Sequence, residues 1–169
     1  MADRTNSYVS DELYAQITAS FPVVCIDVIP IDIAKQKIGV ITRATGNEAN
    51  RLALIGGRVR KDESIKDAVL RHLNNDLGIT EFAFYKTNNE ETPFTVQQYS
   101  HSNGQIDGYD CYDPTKHSIG LTYLIIINQT PSPKSEACDF HWIDLSEIPD
   151  KTAFNQGVVM QKALDFINK

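Results

Sequence analysis

A chain of 169 residues, 41% apolar and 22% charged, has the length and composition of one soluble globular domain with a sizeable core. Its net charge of −6 offers no basic footprint and argues against nucleic acid as the main partner, though not against a small phosphorylated ligand. Cys25, Cys111 and Cys138 are odd in number and form no CxxC pair, so reduced thiols are expected rather than disulfides or structural zinc.

In chain order, MADRTNSYVSDELY is polar and lacks the apolar core of a signal peptide. Ser10 and Asp11 precede ELYAQITAS, an amphipathic pattern read as a helix over 10–19. VVCIDVIPID (23–32) is a β-rich run in which Pro30 predicts an edge or a bulge, and KIGVITR (37–43) reads as its antiparallel partner. After the loop ATGNEAN, RLALI (51–55) is a short strand running into Gly56-Gly57. Residues 64–77 form the central helix, with Ile65, Val69, Leu73 and Leu77 as a core stripe and Gly78 as the stop.

FAFYK and FTVQQYS are strand-like, and SNGQIDGYDCYDPTKHS (102–118) is a Gly- and Asp-rich loop long enough to be read as functional. IGLTYLIIIN (119–128) is the strongest strand, DFHWIDL is another, and FNQGVVMQKALDFIN is the C-terminal helix. No run approaches the roughly 20 apolar residues of a membrane span. The pattern predicts one cytoplasmic domain over 1–169, with its core from about 20 to 169. Its architecture is expected to be an α/β/α sandwich with a mixed central sheet.

The stretch GGRVRKDESIKDAVLRHLNNDLGI (56–79) carries the chemistry. A strand ending in two glycines lets backbone approach a ligand and exposes a carbonyl to a hard cation. His72, Asn75 and Asp76 share one edge of the helix, held against the sheet by the apolar edge beside it. Asp76 can supply one carboxylate to magnesium, which commonly uses only one or two plus substrate phosphates. His72 is a poor magnesium ligand that could meet a softer metal or a phosphate, and Asn75 offers a carbonyl oxygen. Glu63 has a plainer reading too, as a negative charge facing a helix N-terminus.

This stretch resembles the Nudix box: a glycine, five residues, Glu, seven residues, then Arg-Glu-hydrophobe-x-Glu-Glu-x-Gly-hydrophobe. Gly57, Glu63, Arg71, Leu73, Gly78 and Ile79 fall on their positions, while the later glutamates have become His72, Asn75 and Asp76. The resemblance implies a Nudix fold and hydrolysis of a nucleoside diphosphate derivative with magnesium or manganese. GGRVRKDE (56–63) is locally similar to the GDP-mannose mannosyl hydrolases, which attack the sugar carbon. That similarity implies Arg43 and Arg58 as diphosphate clamps, suited by their planar forks, and Arg71 as an orienting group within the box, although a plain surface arginine is the competing reading. DPTKHSIGLTY (113–123) is similar instead to a Nudix-like group of unknown function.

The mannosyl hydrolases place a metal-ligating Gln and a catalytic His before a D-aromatic-x-Trp strand. Here those positions carry Glu136, able to ligate a metal, and Ala137, unable to act as a base. His117 is therefore the expected mobile base, with His141 read as a half-exposed strand residue and His101 as a loop residue. The implied site has Gly56, Asp76 and Glu136 at the metal, Arg43 and Arg58 at the substrate, and His117, Glu63 and Arg71 as catalytic residues. The expected partner is a nucleotide sugar or a related nucleoside diphosphate derivative, with room left for a homodimer. A binding module that cleaves slowly or not at all is the alternative, motivated by the thinned box.

Overall fold

The computed structural model of the chain describes residues 9–85, 92–101 and 111–169. The sheet is built on strand β1 (Val23–Asp32), buried on both faces from Cys25 to Ile31. A strand covered on both sides reads as a continuous apolar run, which is why VVCIDVIPID shows no alternation. β1 runs parallel to β8 (Ser118–Ile126) and antiparallel to β4 (Ile55–Arg58) and to β2 (Lys37–Arg43). Beyond β2 lie β3 (Leu52–Ala53) and β9 (Ala137–Ile143); beyond β8 lie β5 (Ala83–Phe84), β6 (Thr95–Ser100) and β7 (Cys111–Tyr112). The sheet is mixed, as expected.

Helix α2 (Ile65–Leu77) covers one face, and α3 (Gly157–Ile167) covers the other. Ile26 and Val28 point into the first core with Val69, Leu73 and Leu77, while Ile29 and Ile31 point into the second with Val159, Met160 and Leu164. Alternate residues of one strand thus serve two cores, which makes the α/β/α sandwich. Ser64 caps α2 by accepting from Asp67 N at 3.1 Å, and Gly78 closes it in the left-handed conformation. Helix α1 (Asp11–Ser20) stands outside the sandwich and buries no residue.

Several expectations need correction. Pro30 lies in the centre of the sheet, not at an edge. β4 pairs with residues 25–28 and β2 with Ile31 and Asp32, so on that side the proline falls where β1 changes partners, while on the other it stands opposite Ile125 of β8. RLALI is broken at Leu54, whose backbone N–H donates to Gln156 Oε1 at 2.9 Å instead of to a strand. The C-terminal helix starts at Gly157 because Phe154 and Asn155 both have positive φ, near 55°. Of the Gly- and Asp-rich loop, residues 102–110 lie outside the described residues, and Cys111–Tyr112 form β7 rather than loop.

Candidate active site

The glycine turn and α2 are joined by one arginine. Arg71 Nε donates to Glu63 Oε1 at 2.6 Å and Nη2 to Glu63 Oε2 at 2.8 Å, while Nη2 also reaches the Arg58 carbonyl at 3.0 Å. Glu63 Oε2 accepts from Arg60 N at 2.8 Å as well. The Arg71 hydrogen bonds hold the Glu63 carboxyl below the usual range, against its partial burial. Charged, bidentate contacts of this kind are among the stronger hydrogen bonds. They fasten residues 58–63 to the helix.

His72 lies against Gly57, where φ is 153° and an added Cβ would meet the imidazole at 2.6 Å. Glycine is therefore required for this approach. Burial, then the neighbouring Arg71 charge, pushes the His72 pKa down to about 4, so the ring is neutral at pH 7. Asn75 and buried Asp76 follow along the same edge and line the cavity with Gly56.

Arg43 enters from the opposite wall. The register between β2 and β9 shifts between Thr42 and Arg43, a bulge that re-aims the side chain. Its guanidinium lies 5.0 Å from the Phe154 ring centre, Nη1 meets Glu136 Oε2 at 3.4 Å, and Nε is buried without a hydrogen-bond partner. Arg58 lies 4.5 Å from the Tyr14 ring of α1. An aromatic ring under a guanidinium holds it through cation–π attraction and leaves its N–H edge for other partners.

The floor is polar. Tyr99 Oη donates to Asp27 Oδ2 at 2.6 Å, and Gln156 Nε2 donates to Tyr99 Oη at 3.0 Å and approaches Asp27 Oδ1 at 3.4 Å. Gly120 makes room for this carboxylate, since a Cβ there would lie 2.7 Å from Oδ2. Burial raises the Asp27 pKa to about 6, against the Tyr99 hydrogen bond. Nearby, Lys116 Nζ meets Asp113 Oδ2 at 2.6 Å. Burial pulls the lysine pKa down, but this bond and the attraction of the Asp113 charge together with other neighbours raise it, which keeps the lysine charged. Burial lifts the Cys25 thiol to about 12, which leaves it an inert wall residue.

These groups line one cavity of ≈ 610 Å³, within the range of small-ligand sites. Arg43, Arg58, Arg60, Arg71 and Lys116 face Asp27, Asp76, Asp113 and Glu136 across it. Glu136 and Asp113 are paired with Arg43 and Lys116, and Arg58 and Arg60 lie on the glycine-turn side of the cavity. Among the described residues, no group of three or more His, Cys, Asp or Glu side chains gathers as a metal cage. Asp76, Glu136 and the Gly56 backbone do line the same space. Two carboxylates and a carbonyl match the sparse protein ligation of magnesium, which completes its shell with water and substrate phosphate. The donor set fits a cation that arrives with phosphates.

The structure brings Gly56, Asp76, Glu136, Arg43, Arg58 and Arg71 to one cavity. Glu63 stands behind Arg71 and is not a lining residue. His117 is not a lining residue either. Lys116 and Ser118 on each side of it are, and His117 occupies the position just before β8 begins. His141 is a partly exposed strand residue bonded to Thr42 Oγ1 at 2.9 Å, and His101 is exposed. Sequence reasoning missed Asp27, Tyr99, Gln156, Phe154 and Tyr14. The one available signal was Asp27, an acid at the centre of an otherwise apolar strand.

Comparison with known proteins gives the family and the fold. The family model described as "Domain of unknown function (DUF4916)" matches residues 4–168. No curated protein matches. Among solved structures, a "possible asymmetric diadenosine tetraphosphate (Ap(4)A) hydrolase" of Jonesia denitrificans is 26% identical, with a TM-score of 0.72 over 88% of this chain and 96% of that one. A MutT NUDIX hydrolase of Burkholderia pseudomallei is 21% identical, with a TM-score of 0.62 over 86% and 98%. The NUDIX domain of Shewanella oneidensis NrtR, solved with ADP ribose, is 16% identical, with a TM-score of 0.59 over 95% and 100%. The chain belongs to the DUF4916 family, a domain of unknown function, and it has the Nudix fold.

Proposed function

We propose that the chain is a divalent-metal-dependent hydrolase of a nucleoside diphosphate derivative, with a nucleotide sugar such as GDP-mannose as the first substrate to test. One observation carries this reading: Arg43 and Arg58, each backed by an aromatic ring, share a cavity with Gly56, Asp76 and Glu136. The structural relatives named for Ap4A hydrolysis and ADP-ribose binding support the same ligand class.

Arg58, and Arg43 once Glu136 turns from it to the metal, would take the diphosphate through their N–H edges, where planar forks bind phosphate oxygens in pairs. Asp76, Glu136 and the Gly56 carbonyl would hold magnesium or manganese, which supplies Lewis-acid stabilisation of the leaving phosphate oxygen. Arg71 keeps the turn carrying Arg58 at a fixed distance from the α2 edge, and Glu63 fixes Arg71. Asp27 is better placed than His117 to accept a proton from the attacking water, because its carboxylate lines the cavity.

A second reading, a nucleotide-binding module with little turnover, is favoured by the Arg43–Glu136 contact, which engages a required metal ligand with a cation. Incubating the protein with a panel of nucleotide sugars, ADP-ribose and Ap4A, with magnesium and with manganese, separates the two by product mass. Hydrolysis that stops on chelation is the expected result. Metal-dependent binding without product selects the second reading, and absence of binding overturns both.

A further inference from the structure

We propose that the Phe154–Asn155 turn builds a stacking subsite for the aromatic base of the nucleotide, formed by the Phe154 ring and the Arg43 guanidinium together. The proposal rests on the diphosphate reading and adds which part of the ligand lies at this end of the cavity. Phe154, with φ 55° and ψ 19°, is the one aromatic among the described residues with positive φ, and Asn155 follows it in the same region. A bulky side chain in that region is strained, and such strain persists where surrounding bonds impose it, often at ligand sites.

The surrounding bonds are present. Gln156 is locked by the Leu54 N–H at 2.9 Å and by Tyr99 Oη at 3.0 Å, and Thr152 Oγ1 accepts from Gly157 N at 2.7 Å. The turn is thus pinned on both sides, and its result is an aromatic ring inside a mostly charged cavity. The ring also packs against the edges of both cores, so one side of it is held while the side toward Arg43 borders the cavity.

Phe154 holds Arg43 by its face, 5.0 Å from the ring centre, while Arg43 Nε lacks a partner. The pair therefore offers a planar surface for stacking and an N–H edge for an anion a few ångströms away. A base joined to a diphosphate has that same adjacency. Aromatic rings and guanidinium planes both stack bases with little preference for sequence. Ribose phosphates or pyrophosphate alone would engage the edge and leave the flat surface unused.

The test compares ADP with inorganic pyrophosphate by calorimetry in wild type, Phe154→Leu and Phe154→Tyr, with a thermal melt of each. Wild type should bind ADP about tenfold more tightly than pyrophosphate. Phe154→Leu should lose most of that advantage at nearly unchanged pyrophosphate affinity, and Phe154→Tyr should keep it. Equal weakening of both ligands in Phe154→Leu would show that the ring only supports Arg43, which overturns the proposal. So would wild type binding pyrophosphate as tightly as ADP, or a Phe154→Tyr variant that melts like wild type yet loses the advantage. Wild type that binds neither ligand rejects the diphosphate reading and the subsite with it.

Discussion

Arg71 grips Glu63 with two near-parallel hydrogen bonds, 2.6 and 2.8 Å long, between side chains only 18% and 11% exposed. A glutamate held this way is a brace for the turn rather than a ligand for the substrate. Removing one partner of a mostly buried pair strands the other charge, at a cost of roughly 3–5 kcal/mol. Glu63→Ala should therefore unfold at markedly lower denaturant concentration. The double variant with Arg71→Ala should recover part of the loss, giving a coupling of about 1–3 kcal/mol in a mutant cycle. Strict additivity of the two variants would remove the brace from this account.

Arg58 and Tyr14 should behave in the opposite way. Helix α1 buries no residue, and Arg58 is only partly buried, so neither side chain contributes much to the cores. Arg58→Ala should leave the melting temperature within a few degrees of wild type and weaken pyrophosphate binding by about 1.5–3 kcal/mol, the worth of a hydrogen bond to a charged group. Tyr14→Ala should weaken it less, since only the orientation of the guanidinium is lost. Unchanged affinity in Arg58→Ala sinks the clamp assignment.

Two cavity groups carry opposite pH signatures in stability. His72 has its folded pKa lowered to about 4 from an ordinary value of 6.5, so between those pH values the unfolded state binds more protons and stability rises with pH. Asp27 has its folded pKa raised to about 6 from 3.8, so between those values the folded state binds more protons and stability falls with pH. Chemical denaturation in the presence of a chelator should show wild type gaining on His72→Gln from pH 4 to 6.5. It should show wild type losing its margin over Asp27→Asn from pH 4 to 6. Each change is of order 3 kcal/mol at most. Parallel curves for all three proteins would show that neither environment is as described.

The main strands and helices were largely legible because the apolar period survives in Val69, Leu73 and Leu77 and because β1 and β8 are long apolar runs, whereas the strand order was not. The box spacing grouped Gly56, Arg71 and Asp76, and the three line one cavity. Asp27, Tyr99 and Gln156 were not legible, because they come from three elements that only the fold brings together. Phe154 was hidden for another reason. Its sequence, FNQG, reads as helix onset, and nothing local announces two successive residues with positive φ. His117 lies just before β8 and outside the cavity lining, a placement set by how the chain enters that strand, which a single sequence does not reveal.

Glu136 decides between a metal site and a charge pair. Its carboxylate is half exposed and meets Arg43 at 3.4 Å, a long contact for an ion pair. Exposed pairs of this kind contribute little, so the carboxylate is free to turn toward Asp76 when a cation arrives with the diphosphate. Glu136→Gln keeps an oxygen donor and removes the charge. If Glu136 ligates the metal, magnesium titrated in the presence of ADP should bind at least about tenfold more weakly to the variant, a loss of 1.4 kcal/mol or more. If Glu136 serves only as the counter-ion of Arg43, the variant releases that guanidinium, and ADP should bind more tightly without magnesium while the metal response stays as in wild type. The two roles move the measurements in opposite directions. Asp76→Asn supplies the reference, because Asp76 lines the cavity with Gly56 on the opposite wall from Arg43 and should lose magnesium affinity in the same titration. A Glu136→Gln variant that matches wild type with magnesium and gains affinity without it would leave Asp76 as the one acid at the metal, and hydrolysis would give way to nucleotide binding as the function of this cavity.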